Sequence, residues 1–212
     1  MKKYLYTAFS CLAVVFSAEA QQAEVILDKA AAAYESSNGI KAAFSANIRY
    51  EKEHISESFE GTIQMKGDKF VLTAPDMRTW FDGKTQWTYM VRTQEVNISI
   101  PSGDELQFAN PMILLRNYKK GFSLSYTGES TADNGKMADD VLLVSKGNDE
   151  IDQVEMQIDK ATALPVRITV TMKNGIRSVI RIGKMQTKQH QPDQLFVYNP
   201  DDYPEAVEID LR

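Results

Sequence analysis

Val166-Arg167-Ile168-Thr169-Val170-Thr171-Met172-Lys173-Asn174-Gly175-Ile176-Arg177-Ser178-Val179-Ile180-Arg181-Ile182 decides the fold class. Val166, Ile168, Val170 and Met172 alternate with Arg167, Thr169, Thr171 and Lys173. Successive side chains of a strand point to opposite faces, so one face of this segment is apolar and the other is wet. Asn174-Gly175 is a hairpin signal, because glycine takes a positive φ at no steric cost. The spacing predicts a two-residue hairpin into a strand over Ile176–Ile182. Upstream, Val154, Met156 and Ile158 alternate in the same way with Glu155, Gln157 and Asp159. A meander with one wet face forms an antiparallel sheet.

Alternation also runs through Phe44–Tyr50, Phe59–Met65 and Phe70–Thr73. Counting these runs gives about ten strands, enough for a sheet that curls toward a barrel. Asp82-Gly83-Lys84-Thr85-Gln86-Trp87-Thr88-Tyr89 adds a tight turn followed by a strand with two large aromatics two positions apart. Trp87 and Tyr89 therefore share a face. An aromatic-lined sheet without an accompanying catalytic group points to binding of an apolar molecule.

Two segments depart from the strand rhythm. Residues 23–36 carry Val25, Ile26, Leu27 and the run Ala30–Ala33, an amphipathic helix stopped by Asn38-Gly39. Between Ser102 and Lys120, Asn110-Pro111-Met112-Ile113-Leu114-Leu115 predicts a short apolar helix with Pro111 at its first position and Gly121 beyond its end. Lys119 and Lys120 complement the negative end of that helix. Such a helix between strands of a curled sheet either plugs the core or covers a cavity as a movable lid.

The first residues read as a secretory signal peptide: Lys2 and Lys3, an apolar run from Tyr4 to Ala18, and Ala18-Glu19-Ala20 as a small-x-small cleavage site. Cleavage after Ala20 leaves residues 21–212 as a single domain and removes Cys11, the one cysteine, so the fold rests on core burial. The net charge of −5 becomes one unit more negative on that removal and disfavours nucleic acid as a partner. His54 and His190 lack ligand-like spacing, so no metal or other cofactor is assigned. Gly121-Phe122-Ser123-Leu124-Ser125 lacks the final glycine of a nucleophile elbow, and the acidic pairs Asp139-Asp140, Asp149-Glu150 and Asp201-Asp202 sit beside turns. The chain is read as a non-enzyme.

The signal peptide and following helix, the Asp82–Tyr89 turn and strand, the Asn110-Pro111-Met112-Ile113-Leu114 helix start, the Asn174-Gly175 hairpin and Phe196-Val197-Tyr198-Asn199-Pro200 together resemble the LolA-like periplasmic lipoprotein carriers. The resemblance implies a mainly β protein with some helix. Its single antiparallel sheet would curl into an incomplete β-barrel, covered by the N-terminal helix and a short lid helix. It also implies a hydrophobic cavity for the acyl chains of lipoproteins, and a monomeric periplasmic shuttle between an inner-membrane ABC-type exporter and an outer-membrane acceptor. The family's Arg-Pro-x-x-Phe-x-Trp strand, which latches the lid and lines the cavity, matches Lys66-Gly67-Asp68-Lys69-Phe70-Val71-Leu72 here. Phe70 is kept, Lys66 stands for the latch arginine and Leu72 for the tryptophan.

The expected acyl site is Phe70, Leu72, Trp87, Tyr89, Met112 and Ile113. Met65, Met90, Met112, Met156 and Met172 lie in or beside predicted elements, and thioether chains repack around varied shapes. Arg167, Lys173, Arg177 and Arg181 form a basic cluster, read either as a solubilising face or as a docking face for an acidic partner. The strongest rival reading is a carrier or sensor of another lipid, of phospholipid type.

Overall fold

The computed structural model describes residues 3–119, 121–147 and 150–212. Lys2, Lys120 and Asp149, which the sequence reading invoked, lie outside them. A long helix, α1 (Lys3–Ser36), precedes six strands: β1 (Ile40–Tyr50), β2 (Ile55–Lys66), β3 (Lys69–Thr73), β4 (Met77–Phe81), β5 (Gln86–Met90) and β6 (Glu95–Ser99). Two short helices follow, α2 (Gly103–Ala109) and α3 (Leu114–Asn117). The meander comprises β7 (Phe122–Thr131), β8 (Met137–Ser145), β9 (Ile151–Asp159), β10 (Pro165–Met172) and β11 (Ile176–Gln186), and β12 (Val207–Asp210) is the last element.

All twelve strands join one sheet in the order β12-β6-β5-β4-β3-β2-β1-β11-β10-β9-β8-β7. Neighbours are antiparallel except β12, which runs parallel to β6. The edge strands β7 and β12 do not meet, so the curled sheet stays unclosed. About ten strands were expected; β12, at four residues, is too short to display alternation. Among the described residues no helix is long and apolar enough to cross a membrane.

The Asn174-Gly175 hairpin forms with a different turn from the expected one. Gly175 N–H donates to the Met172 carbonyl at 3.0 Å, and Gly175 has φ +93° while Asn174 keeps a negative φ. This is the three-residue loop in which a tight turn is followed by one left-handed glycine. Asn174 serves through its side chain, accepting from Ile176 N–H at 3.0 Å.

An open sheet with an apolar inner face must be covered. α1 does this with Ala23, Ile26, Leu27, Ala30 and Tyr34, all buried and spaced three or four apart so that they form one stripe. The stripe meets the inner-facing residues of the sheet, among them Phe44, Met65, Leu72, Leu143, Met156 and Ile168. Asn38 (φ +48°) and Gly39 (φ +96°) end the helix as expected. A Cβ on Gly39 would fall 2.6 Å from Gln191 Oε1, which the flexible Gln191 side chain could relieve, so this position favours glycine for its conformation.

The outer face is buried at one end. There Val71, Trp80, Val96 and Ile98 pack under Phe196 and Tyr198 of the C-terminal segment. Trp80 meets the rings of Tyr198 and Tyr203 edge-on, each at 5.5 Å. The Arg78 guanidinium lies 4.9 Å over the Trp80 ring. β3 and β4 thus lie between two apolar layers, whereas β5 and β6 are apolar on the outer side alone.

Gly61 is where the inner face tolerates least change. It pairs with Phe44 in register, and a Cβ there would lie 2.9 Å from Phe44 Cζ and run into the Thr73 carbonyl oxygen of the neighbouring strand. Backbone cannot yield as a side-chain tip can. Gly61→Ala is expected to lower unfolding free energy by about 1–3 kcal/mol in urea titration; an unchanged midpoint would show that β2 and β3 separate freely.

Candidate functional site

The segment from Ser102 to Lys119 is two short helices, not one. Ser102 and Glu105 form a capping box that starts α2: Glu105 N–H donates to Ser102 Oγ at 3.3 Å and Ser102 N–H to Glu105 Oε2 at 2.6 Å. The Ser-x-x-Glu spacing was the sequence signal for this helix, and the reading passed over it. Asn110 then leaves helical conformation (φ −140°, ψ 84°), as a residue before proline tends to do. Pro111–Ile113 forms a 3-10 turn that leads directly into α3. Met112, Ile113, Leu114, Leu115 and Tyr118 are all buried, so the segment presses its apolar side onto the inner core.

Polar groups fasten this lid at its edges. The Tyr118 hydroxyl donates to Asp28 Oδ1 at 2.7 Å, and Lys119 Nζ lies 2.9 Å from Asp28 and 3.1 Å from Glu24, both on α1. Hydrogen bonds from Lys119 and Tyr118 hold the Asp28 carboxyl below its ordinary range. Burial, then the bond to Asp28, pushes the Tyr118 phenol up. Arg116 reaches Glu35 of α1 at 2.7 Å and also pairs with Asp68 in the β2–β3 turn.

Lys66, the latch candidate, bonds to the C-terminal segment. It ends β2 one position after the inner-facing Met65, so alternation sends it to the outer side, where Nζ donates to the Gln191 carbonyl and to Asp193, both at 3.0 Å. Lys69 joins Asp193 at 2.8 Å. The turn around residues 66–69 still anchors the lid, with the charges exchanged: the arginine sits on the lid as Arg116, and the turn supplies the carboxylate of Asp68.

Trp87 and Tyr89 do share a face, but it is the outer one. Trp87 pairs with Trp80, and Tyr89 stacks 4.6 Å from Tyr203 in the cluster under the C-terminal segment. The sheet itself separates them from the lid. The other four expected site residues lie together on the inner side. Leu72 and Met112 line a cavity beneath the lid, and Phe70 and Ile113 are buried in the core beside it.

That cavity is small, 40 Å³, and its walls include Phe44, Met65, Leu72, Met112, Ile168 and Ile182. It offers room for about one small molecule of water size and none for a fatty chain. A larger cleft of 770 Å³ opens at the end of α1, with Ala33, Leu164, Pro165, Ile182 and Met185 on its floor and Lys136, Lys184 and Lys188 around it. Its size falls within the roughly 300–1,000 Å³ of small-molecule sites. Ile182 is a wall of both spaces.

The basic cluster is also redrawn. Lys173 Nζ donates to the Gly147 carbonyl at 2.9 Å and caps a turn. In register on the outer face, Arg167 lies opposite Arg181 and Arg177 opposite Arg49. Among the described residues no His, Cys, Asp and Glu side chains gather as a metal site.

Solved structures with this architecture include an uncharacterized conserved protein from Thermus thermophilus, 18% identical over 89% of this chain and 99% of its own, with a TM-score of 0.59. A LolA superfamily protein from Nitrosomonas europaea is 14% identical over 83% of this chain and 97% of its own, at a TM-score of 0.46. LprF from Mycobacterium bovis is 12% identical over 82% and 99%, at 0.45. No curated protein matches by sequence. The family model described as outer membrane lipoprotein carrier protein LolA matches residues 13–176. With an unclosed sheet, a covering helix and a fastened apolar lid, the chain belongs to the LolA outer membrane lipoprotein carrier family.

Proposed function

We propose that this protein is a periplasmic carrier that loses its leader after Ala20, works as a monomer of one domain, and holds the acyl chains of lipoproteins between the inner sheet face and the lid. It would collect them from an inner-membrane ABC-type exporter and deliver them to an outer-membrane acceptor, without catalysis. One observation supports this above the rest: an apolar-walled pocket lies under a lid whose fastenings are exposed ion pairs. Arg116, Glu35 and Asp68 side chains are 33%, 50% and 56% exposed. Pairs this exposed contribute about 0–1 kcal/mol each. Burying one CH₂ yields about 0.8 kcal/mol, so a few methylene groups would offset the ion pairs and the rest of a fatty chain would replace the apolar contacts that Met112, Ile113, Leu114 and Leu115 make with the core. In this reading the lid closes an empty carrier and yields to a loaded one. Leu72, Met112, Phe70 and Ile113 are the residues assigned to the acyl site.

The two arginine pairs on the outer face support a docking surface for an acidic patch on a transfer partner. Arg181 is paired with Asp133 at 2.6 Å, and Arg177 and Arg49 stand 4.0 Å from Glu155 and Glu51, whereas Arg167 makes no ion pair among the described residues, so it is the arginine open to a partner's carboxylate. A phospholipid-type cargo is a second reading. It is favoured by Lys184 and Lys188, which have no ion-pair partner among the described residues and stand at the rim of the apolar-floored cleft.

Native mass spectrometry of protein purified from its own periplasm separates the two cargoes: bound triacylated protein supports the first, bound phospholipid the second. Substituting Arg116→Gln with Lys119→Gln is expected to raise hydrogen exchange of residues 103–119 several-fold and to increase uptake of a fluorescent hydrophobic probe. Unchanged exchange would mean that apolar packing alone closes the lid.

The depressed Asp28 carboxyl sets a pH window. Its bonds favour closure above its unfolded value of about 3.9 and fade as pH falls through the lower folded value. Probe uptake is expected to rise below about pH 4 and, in Asp28→Asn, to be already high at neutral pH with a smaller acid step. For the docking face, Arg49→Glu with Arg177→Glu is expected to slow transfer to the acceptor while leaving probe uptake intact; equal transfer would assign that face to solubility.

A further inference from the structure

We propose that Asn110 is the polar anchor of the acyl site, its side-chain Nδ2 donating a hydrogen bond to the ester or amide carbonyl at the head of a fatty chain. This rests on the carrier reading and names the part of the cargo that the lid recognises.

Asn110 is 1% exposed, and three of its four polar groups are satisfied within the lid. Its N–H donates to the Leu106 carbonyl at 2.8 Å, its carbonyl accepts from Ile113 N–H at 3.0 Å, and its Oδ1 accepts from Met112 N–H at 3.3 Å. Among the described residues Nδ2 has no partner. The bond from Met112 fixes which end of the amide is oxygen, so the open valence is a donor. Asn110 lines the 40 Å³ cavity.

A buried donor without an acceptor is costly, and such groups are rarely left so without a reason. Water is a poor explanation here. A buried water needs two to four polar partners, whereas the other walls are Phe, Ile, Met, Leu and Ala side chains. Capping of the Pro111 turn is also insufficient, because it uses Oδ1 alone and aspartate or serine would supply the same acceptor. What asparagine adds is the donor. A hydrocarbon chain whose first carbon is a carbonyl meets both features of the site: the carbonyl accepts from Nδ2 without bringing a donor of its own, and the methylenes follow the wall of Leu72, Ile168 and Ile182. A free alkyl chain or an ether satisfies the wall and leaves the donor weakly paired or unpaired.

The test compares two probes of equal chain length, an N,N-dimethyl fatty amide, which has a carbonyl and no N–H, and the corresponding alkyl methyl ether, each displacing a fluorescent probe from the mature protein. The wild-type protein is expected to prefer the amide by about three- to tenfold. Asn110→Ser keeps a capping oxygen but is too short to reach the cargo, and should bring the ratio near one. Asn110→Asp keeps the shape and the acceptor and replaces the donor, so its ratio should fall below that of the wild type. Thermal melts confirm that each variant is folded. Equal amide and ether binding by the wild type, or an undiminished preference in both variants, would overturn the anchor while leaving the carrier intact. Failure of both probes to bind would overturn the carrier reading itself.

Discussion

Everything in this protein follows from leaving a twelve-stranded sheet unclosed. A closed barrel hides its interior by itself, whereas a half-barrel exposes a continuous apolar face unless other segments cover it. The buried stripe of α1 covers part of that face permanently, and Met112, Ile113, Leu114 and Leu115 of the lid cover the rest. The two covers differ in kind. α1 contributes a long apolar stripe that ends in a left-handed exit at Asn38-Gly39, and the lid contributes two helices of seven and four residues that pack on the core through Met112 to Leu115 and are fastened at the edge by Arg116 and Lys119.

The difference in fastening is what makes a cavity of 40 Å³ compatible with a carrier. A packed interior is normally a sign that nothing binds there, since cores approach crystal density. Here the packing atoms opposite the sheet belong to a segment whose polar bonds are individually weak in water. The hydrophobic term that closes the lid on itself is the same term that a fatty chain would supply on entering. In the proposed carrier, exchange of one apolar partner for another would involve a small net change, so that cargo could leave as well as arrive.

The outer face shows the opposite logic. Phe196, Tyr198 and Tyr203 stack on Trp80 and Tyr89, and β12 pairs with β6, so the C-terminal segment closes that end through both rings and backbone bonds. Further along the same face, arginines stand in register where a purely structural sheet would favour opposite charges. One face is thus divided into a sealed aromatic end and an exposed end where arginines stand among carboxylates.

Local backbone geometry was legible from the chain. Alternation from Val154 to Ile182 reports which residues share a face, glycine after asparagine or aspartate reports where the chain reverses, and the alanine-rich stretch before Asn38 reports a helix. These signals depend on neighbours a few positions away, and the antiparallel sheet, the covering helix and the lid segment follow from them. Whether a given face is the inside does not. Trp87 and Tyr89 share the outer face, because β5 is apolar on that side, with Gln86 and Thr88 on the other, and the segment that covers the outer side arrives about a hundred residues later in the chain. The ion pair between Arg116 and Asp68 of the 66–69 turn was not legible either, since charge partners across the fold leave no periodic trace. The order of residues thus suffices for the elements and for the hairpins that join neighbours. Which surfaces meet emerges when the whole chain packs, because contact between distant segments is set by shape and burial and not by the local rules that form each strand.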